Sequence, residues 1–595
     1  MPVVPIRLCS RWILLATVAL AATPAAAQAP AWQWGLQTTN PTPADATTAE
    51  GNAVATDAAG RVYVGGSFGD AVPGSPAASR RFGAVGSAGP GRGGFVAQAT
   101  AAGQWAWLAP VVASGLSATG FTSAPVTGVA VAAAGGDVYA VGAAQGSSLR
   151  VGSLTLALPG TGEAVFVARF SSAGVCQWLR VVETTDTRVA LAADPSTGGV
   201  VLAGTYGRAV AFGAFALPAV PATGPNALFV ARLGPTGQWL AAASATGSAR
   251  IAADFALAVG PAGQAAVVGS HGSGTVHFGS TTRTATAPTD AAFFVAQLSP
   301  ASQWQWAVGG SGSRLSAAAG AAYTHNGTLW VSGRALNGTL LGNTTLVAPT
   351  NPNFATFGGF VGQLSATGQW GAVSTIAPTS HGLAVLGPLS VDAAGNAVLL
   401  GGLRGYYGPL GTSVGDQLLS AGTGETVFFG ALATPAGQLR YLASVPAPAV
   451  AGGLNPVATA LDASGSLYVT GSLRGSLALG SSALQGTPAS APTVADGGDL
   501  FLGKLLNATV LAARPTAAAA RVALSPNPAH GRAVLQLAAP APTASRATVA
   551  DALGRAVLTV AVAAGAASVP VDLTGLAPGV YLVRCGAAVG RLVVE

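Results

Sequence analysis

His271 and His277 are the first pair in this chain whose types and spacing suit a metal ion. They stand six residues apart, an even offset that puts both side chains on one face if the strand is continuous. Gly272 and Gly274 interrupt that stretch, and no third ligand lies nearby in sequence, so no metal site is expected. A second set is acidic. Glu163, Asp290, Glu425 and Asp499, with Asn226 in kind, each stand just ahead of a Phe-containing apolar segment. Acids at one repeated position gather around one rim and could hold a cation or sugar hydroxyls. Capping of a strand entrance is the plainer role. Arg404, Tyr406 and Tyr407 form an aromatic and cationic cluster suited to a carbohydrate. The ligand-binding candidates are therefore Arg404, Tyr406, Tyr407, Glu163 and Glu425. No Asp-x-Asp calcium loop occurs, and the Gly-x-Ser-x-Gly match Gly65-Gly66-Ser67-Phe68-Gly69 falls where a repeat strand runs on rather than at a strand-to-helix elbow, so neither catalytic residues nor a cofactor are expected.

The elements that must position these residues come from a repeat. A Gly-x5-Gly frame recurs at Gly60/Gly66, Gly136/Gly142, Gly198/Gly204, Gly263/Gly269, Gly327/Gly333, Gly395/Gly401 and Gly465/Gly471. Repeats of this length built from strands are the blades of a propeller. In the first unit, Asn52–Thr56 and Arg61–Gly65 flank an Asp-Ala-Ala-Gly turn. A long segment leads to Phe95–Ala99, a tight turn and Gln104–Leu108. That makes four antiparallel strands. The third strand recurs at Phe166, Phe229, Phe294, Phe360, Phe428 and Phe501, and the fourth at Gln-Trp pairs ending in Trp178, Trp239, Trp304 and Trp370.

The seventh unit lacks a fourth strand, while Ala31-Trp32-Gln33-Trp34 is an orphan copy of one. The expectation is an all-β, seven-bladed propeller over 28–506, closed by its N-terminal strand, which hides the edge an open array would expose. The Trp side chains are then inter-blade packing. Cys176 is a small core residue, as is each of Tyr63, Tyr139 and Tyr468. Antiparallel order puts the short turns on one face. The long second-to-third connections share the other with the inter-blade links, and variable loops on a rigid frame are where recognition lives. Each long connection carries an apolar-Gly step, from Phe82-Gly83 to Leu410-Gly411 and Leu479-Gly480, read as a small extra strand or turn.

Composition excludes other classes. Charged residues are 8% of 595, mean hydropathy is +0.51, and the apolar runs are strand-sized pieces too short to span a bilayer as helices. The exception is Trp12–Ala22, preceded by Arg7 and Arg11 and followed by Ala25-Ala26-Ala27. This reads as a secretory signal over 1–27 cleaved after Ala27, whose loss lowers the net charge from +7 to +5. No transmembrane segment is expected afterwards. The basic residues do not cluster as a nucleic-acid surface requires, so no nucleic-acid partner is expected.

Composition shifts again over 507–520, an Ala/Thr-rich linker, and 521–595 reads as a small Ig-like β-sandwich of about six strands. It contains Pro526-Asn527-Pro528, Asp551 with Gly554 and Arg555, Pro578-Gly579 with Tyr581, and a closing Arg591-Leu592-Val593-Val594. These motifs, in this order, resemble the type A C-terminal sorting domain of the type IX secretion system of Bacteroidota. Leu524-Ser525 stands where that family has a Tyr before Pro-Asn-Pro. The resemblance implies handling by the type IX machinery, removal of the tail, and release or attachment at the outer cell surface. The repeats look like the bacterial β-propeller repeat of such exported proteins. The function expected is a non-catalytic propeller that binds a glycan or a surface protein. The alternatives are an extracellular polysaccharide-acting enzyme and a purely structural surface protein.

Overall fold

The computed structural model describes residues 30–39, 47–70, 80–88, 92–118, 120, 122–132, 136–160, 162–184, 186, 188–220, 225–252, 255–285, 292–310, 316–348, 356–379, 382–405, 410–422, 426–445, 454–486, 498–506, 523–537, 544–551, 556–585 and 588–595. The expected signal over 1–27 and linker over 507–520 lie outside them. Every regular element among the described residues is a strand. Pro30–Val510 forms one compact unit and Leu511–Glu595 belongs to a second.

Strand pairing in the larger unit follows the glycine frame. Thr47–Thr56, Val62–Asp70, Gly93–Ala99 and Trp105–Ser114 pair in that order as sheet 1. The pattern recurs for sheets 2 to 6, which begin at Val126, Val189, Ala256, Ser316 and Gly382. In sheet 7, Leu454–Leu461, Leu467–Leu473 and Asp499–Leu506 are followed by Ala31–Gln37, which pairs antiparallel with Asp499–Leu506. The innermost strand of each sheet touches those of its neighbours, and Thr47–Thr56 of sheet 1 meets both Val126–Val131 and Leu454–Leu461. The fold is a β-propeller.

The frame has a physical reason at each glycine. The first is a turn residue: Gly60 and Gly263 have φ of 73° and 82°, where a side chain would be strained. The turn Asp closes it, Asp57 Oδ1 accepting from Ala59 N and Arg61 N at 3.0 Å. The second glycine faces the third-strand Phe across the ladder, as Gly142 faces Phe166 and Gly204 faces Phe229. A Cβ on Gly142 would stand 2.7 Å from the Phe166 ring. In sheet 6 this partner is Phe429, opposite Gly401, one residue later than the sequence reading placed it at Phe428.

Second and third strands are buried along most of their length because both faces pack on neighbouring sheets. Phe229 and Ala231 enter the core shared with sheet 2, while Leu228 and Val230 enter the core shared with sheet 4. Fourth-strand tryptophans pack between sheets as expected. Trp34, Trp107, Trp178 and Trp306 each donate Nε1–H to a carbonyl in the next sheet's third-to-fourth turn, at Ala101, Ser172, Pro235 and Ala366, over 2.8–3.3 Å. Cys176 is buried, which pushes its thiol up to about 11.

The long connections differ from expectation in form. In each unit the apolar-Gly step is the turn of a two-stranded hairpin, such as Gly274–Phe278 with Thr281–Ala285. The hairpin folds back along the outer edge. Its Phe rings meet the fourth-strand Trp, with Phe278 5.0 Å from Trp304 and Phe212 4.9 Å from Trp239. In the sixth unit the turn is Val414-Gly415, not Leu410-Gly411, which lies at the start of the first hairpin strand. Much of each long connection therefore runs down the edge, and the inter-sheet links and third-strand entrances are left on the face opposite the short turns.

In the second unit, a three-stranded sheet (Ala523–Ser525, Arg532–Gln536, Ser568–Asp572) and a four-stranded sheet share one core. Leu535 and Val571 of the first and Val549, Val583 and Leu592 of the second meet in it.

Candidate functional site

One cleft of about 390 Å³ opens where sheets 3 and 4 meet on the link face. The link ahead of Val189–Asp194 supplies Asp186 and Arg188, and the link ahead of sheet 4 supplies Arg250, Ile251 and Ala252. Asn226 stands just before the third strand of sheet 3, and His271 ends the second strand of sheet 4.

Backbone pairing makes the wall rigid. Ile251 bridges His271, Ala252 N donates to Ser270 O at 2.8 Å, and Gly272 N donates to Arg250 O at 2.9 Å. Asn226 ties the two sheets together. Its Nδ2 donates to Ile251 O and to Asp186 Oδ2, both at 3.2 Å, and its Oδ1 accepts from Ile251 N at 2.8 Å. Thr205 Oγ1 also donates to Asp186 Oδ2. Both bonds fall on one oxygen and fix the carboxylate from that side.

The described lining residues include two arginines and one carboxylate. Arg188 and Arg250 are exposed at the mouth, and the nearby Arg283 lies close enough to act on His271. His271 is 1% exposed. Burial, with Arg283 adding to it, holds its imidazole below the ordinary value, so the ring is neutral at pH 7. Its Nδ1 lies 2.8 Å from Gly272 O, which places the proton there and makes Nε2 the acceptor. Such an arrangement can hold an anionic group at the arginines and accept hydroxyl hydrogens at Asp186 and His271.

The residues nominated from sequence are dispersed. Glu163 is buried at the third-strand entrance of sheet 2, where Gln145 Nε2 donates to it at 3.4 Å. Arg404 is exposed on the second strand of sheet 6. Neither lines the cleft, and Tyr406, Tyr407 and Glu425 lie outside the described residues. Asp499, of the same rim set, is buried in an ion pair with Arg80. His271 and His277 do not share a strand. His277 sits on the hairpin Gly274–Phe278, exposed, its Nδ1 3.0 Å from Thr282 Oγ1. No group of metal-ligating side chains occurs among the described residues. Sequence reasoning missed Asp186, Arg188 and Arg250. The available signal was charge: in a chain so poor in it, charged residues fall in both links that flank sheet 3.

In the second unit the sorting motif closes on itself. Asn527 Oδ1 accepts from Val593 N at 2.8 Å, and Ala529 N donates to Val593 O at 2.9 Å. The opening Pro-Asn-Pro is thus stapled to the final Leu-Val-Val strand, in which Leu592 and Val594 are buried. Tyr581 donates its hydroxyl to Ala577 O at 2.7 Å. Asp551 is half-buried, Gly554 and Arg555 lie outside the described residues, and nothing is described of the Arg591 side chain. Residues 523–594 match the secretion system C-terminal sorting domain. The sorting domain assigns the chain to export, to be secreted or held at the cell surface, and to handling by the type IX machinery. No helix among the described residues is long and apolar enough to cross a membrane.

No curated protein matches the chain. Among solved structures it is similar to a gluconolactonase of Xanthomonas campestris, at 13% identity over 67% of this chain and 90% of that one, with a TM-score of 0.26. It is also similar to an apocarotenoid oxygenase variant of Synechocystis, at 11% identity over 80% and 94%, with a TM-score of 0.28. The expectation that the chain is not an enzyme is corrected on this finding. One fold hosts unrelated functions, so the lack of a familiar catalytic motif is no ground for setting catalysis aside.

Proposed function

We infer that the chain is an exported protein in which 1–27 is a leader, 28–506 a propeller, 507–520 a linker and 521–595 the sorting domain. Its propeller recognises an extracellular ligand, glycan or protein, through the link face. The observation that carries this is the cleft between sheets 3 and 4. There, charged side chains from two separate links converge on a wall pinned by backbone hydrogen bonds. Charge is scarce in this chain, and capping alone does not require two arginines at one mouth.

The test is a glycan array and a cell-surface pull-down with the full chain, beside a variant carrying Arg188→Ala and Arg250→Ala. Saturable binding lost in the variant supports the reading. No binding to either, or binding indifferent to the two substitutions, refutes it. Assaying the bound ligand for cleavage in the same experiment reads out turnover.

A further inference from the structure

We propose that Arg283 anchors a site for a small monocarboxylate beneath the hairpin of the fourth unit. The site is separate from the cleft, whose lining does not include Arg283.

The first observation is a guanidinium without an acceptor. Elsewhere in the propeller, Arg80 is spent on Asp499, Arg169 on Asp137 and Pro235 O, and Arg232 on Asp194, Gly263 O and Ser299 O. Arg283 differs. Its Nε is buried and bonds nothing, and no hydrogen bond or ion pair engages Nη1 or Nη2 among the described residues. A buried charged donor left unsatisfied is costly, and an acceptor from outside the chain relieves that cost.

The second observation is where the group lies. Arg283 stands opposite Val276 in the hairpin, on the face that carries the buried Phe278 and Ala285, whereas Thr282 and Thr284 on the other face are exposed. The side chain therefore turns under the hairpin, toward the fourth strand of sheet 4, Trp304–Val308. Nη2 lies 2.8 Å from the place a Cβ would take on Gly309, the residue after that strand, so only a glycine there lets the guanidinium lie as it does. Arg283, Gly309 and Gly310 are all half-buried, which leaves the group recessed but reachable from solvent.

The third observation is the field. Burial alone acts on Arg283, lowering its pKa with no carboxylate to oppose it, and an arginine so placed stays charged. Its charge bears on the neutral ring of His271. An anion beside it meets no opposing negative charge. One recessed guanidinium balances one negative charge, so a phosphate dianion would keep an unbalanced charge there. With Nε buried, Nη1 and Nη2 are the donors left to a ligand, and this planar pair matches the two oxygens of a carboxylate.

The experiment follows the larger thermal transition of the full chain by calorimetry while sodium acetate or sodium glucuronate is titrated in, beside sodium chloride at equal ionic strength. A carboxylate that binds only the folded chain should raise the midpoint by about 2–3 °C at a hundredfold its dissociation constant. Arg283→Met should abolish the rise and, without added anion, melt no lower than the parent. A rise with acetate assigns the site to simple acids, and a rise with glucuronate alone assigns it to sugar acids. An equal rise with chloride, a rise kept in Arg283→Met, or no rise with either carboxylate would overturn the inference. A second readout needs no variant. The carboxylate that binds should shift the imidazole NMR resonances of His271, on which Arg283 acts, and leave those of His325 and His530 in place. An unmoved His271 would equally overturn it.

Discussion

Replacing Arg232 with Met tests whether sheets 3 and 4 are locked together on the side opposite the cleft. Arg232 is 4% exposed and Asp194 2%. The guanidinium reaches Asp194 Oδ2 at 2.8 Å within its own sheet. It also donates to Gly263 O at 2.7 Å, Ser299 O at 3.1 Å and Ser302 Oγ at 3.0 Å in sheet 4. Removing one member of a buried ion pair strands the other, at a cost of about 3–5 kcal/mol. The unfolding entropy is about 2.1 cal/mol/K per residue, so a unit the size of Pro30–Val510 has about 1 kcal/mol/K. The midpoint should therefore fall by about 3–5 °C. Differential scanning calorimetry of the full chain reads this, following the larger transition. Asp194→Asn in the same background removes the stranded charge and keeps the bonds to Ser196. The double variant should be at least about 1 kcal/mol less destabilised than the two single costs added together. A midpoint within 1 °C of the parent, or strictly additive costs, would refute the clamp.

Other consequences can be checked more briefly. Gly342→Ala would place a Cβ 2.6 Å from Trp370 Cβ at a φ of 61°, whereas Gly198→Ala meets nothing within 4 Å at a φ of 71°. The first should cost about 1–3 kcal/mol more than the second by urea unfolding. Stability should decline on acidification, read as the thermal midpoint between pH 7.5 and pH 3. The His271 pKa is lowered in the fold, so its contribution is complete above its unfolded value near 6.5 and is lost as pH falls through the lower folded value. Asp462 acts the same way further down. Burial opposes its ionisation, but bonds from Ser464, Ser466 and Tyr468 outweigh that and lower its pKa, so its contribution is lost below the ordinary carboxylate range. A midpoint that rises on acidification would contradict both signs. Asn527→Ala should loosen the closing strand of the sorting domain by about 1 kcal/mol, seen as faster amide exchange at Val593.

The sheet plan was legible because each frame glycine answers to one local requirement, a positive φ or a Phe ring across the ladder. Such requirements leave a residue type behind. The hairpin in the sixth unit was misplaced because Leu410-Gly411 and Val414-Gly415 both satisfy an apolar-Gly pattern. Only the second stands at the hairpin turn, with its glycine at positive φ. The cleft was not legible because no segment contains it. Asp186 and Arg250 are far apart in sequence and meet only through the packing of two sheets, and nothing in either link marks the other as its neighbour.

The rim position at the third-strand entrance is put to a different use at each junction. Sheet 7 places Asp499 there, buried against Arg80 from the first unit's hairpin, so that charge is spent on joining sheets 7 and 1. Sheet 2 places Glu163 there, buried and bonded by Gln145. Sheet 3 places Asn226, an uncharged amide that satisfies the backbone of Ile251 and donates to Asp186. The acid appears instead on the link, as Asp186, and is turned to one side by Asn226 and Thr205. Asn226→Asp is the informative reversal. It would lose the two amide donations and oppose Asp186 with a second carboxylate. The thermal midpoint should then fall by a few degrees, read by calorimetry of the full chain. An unchanged midpoint would refute Asn226 as the tie between the two sheets.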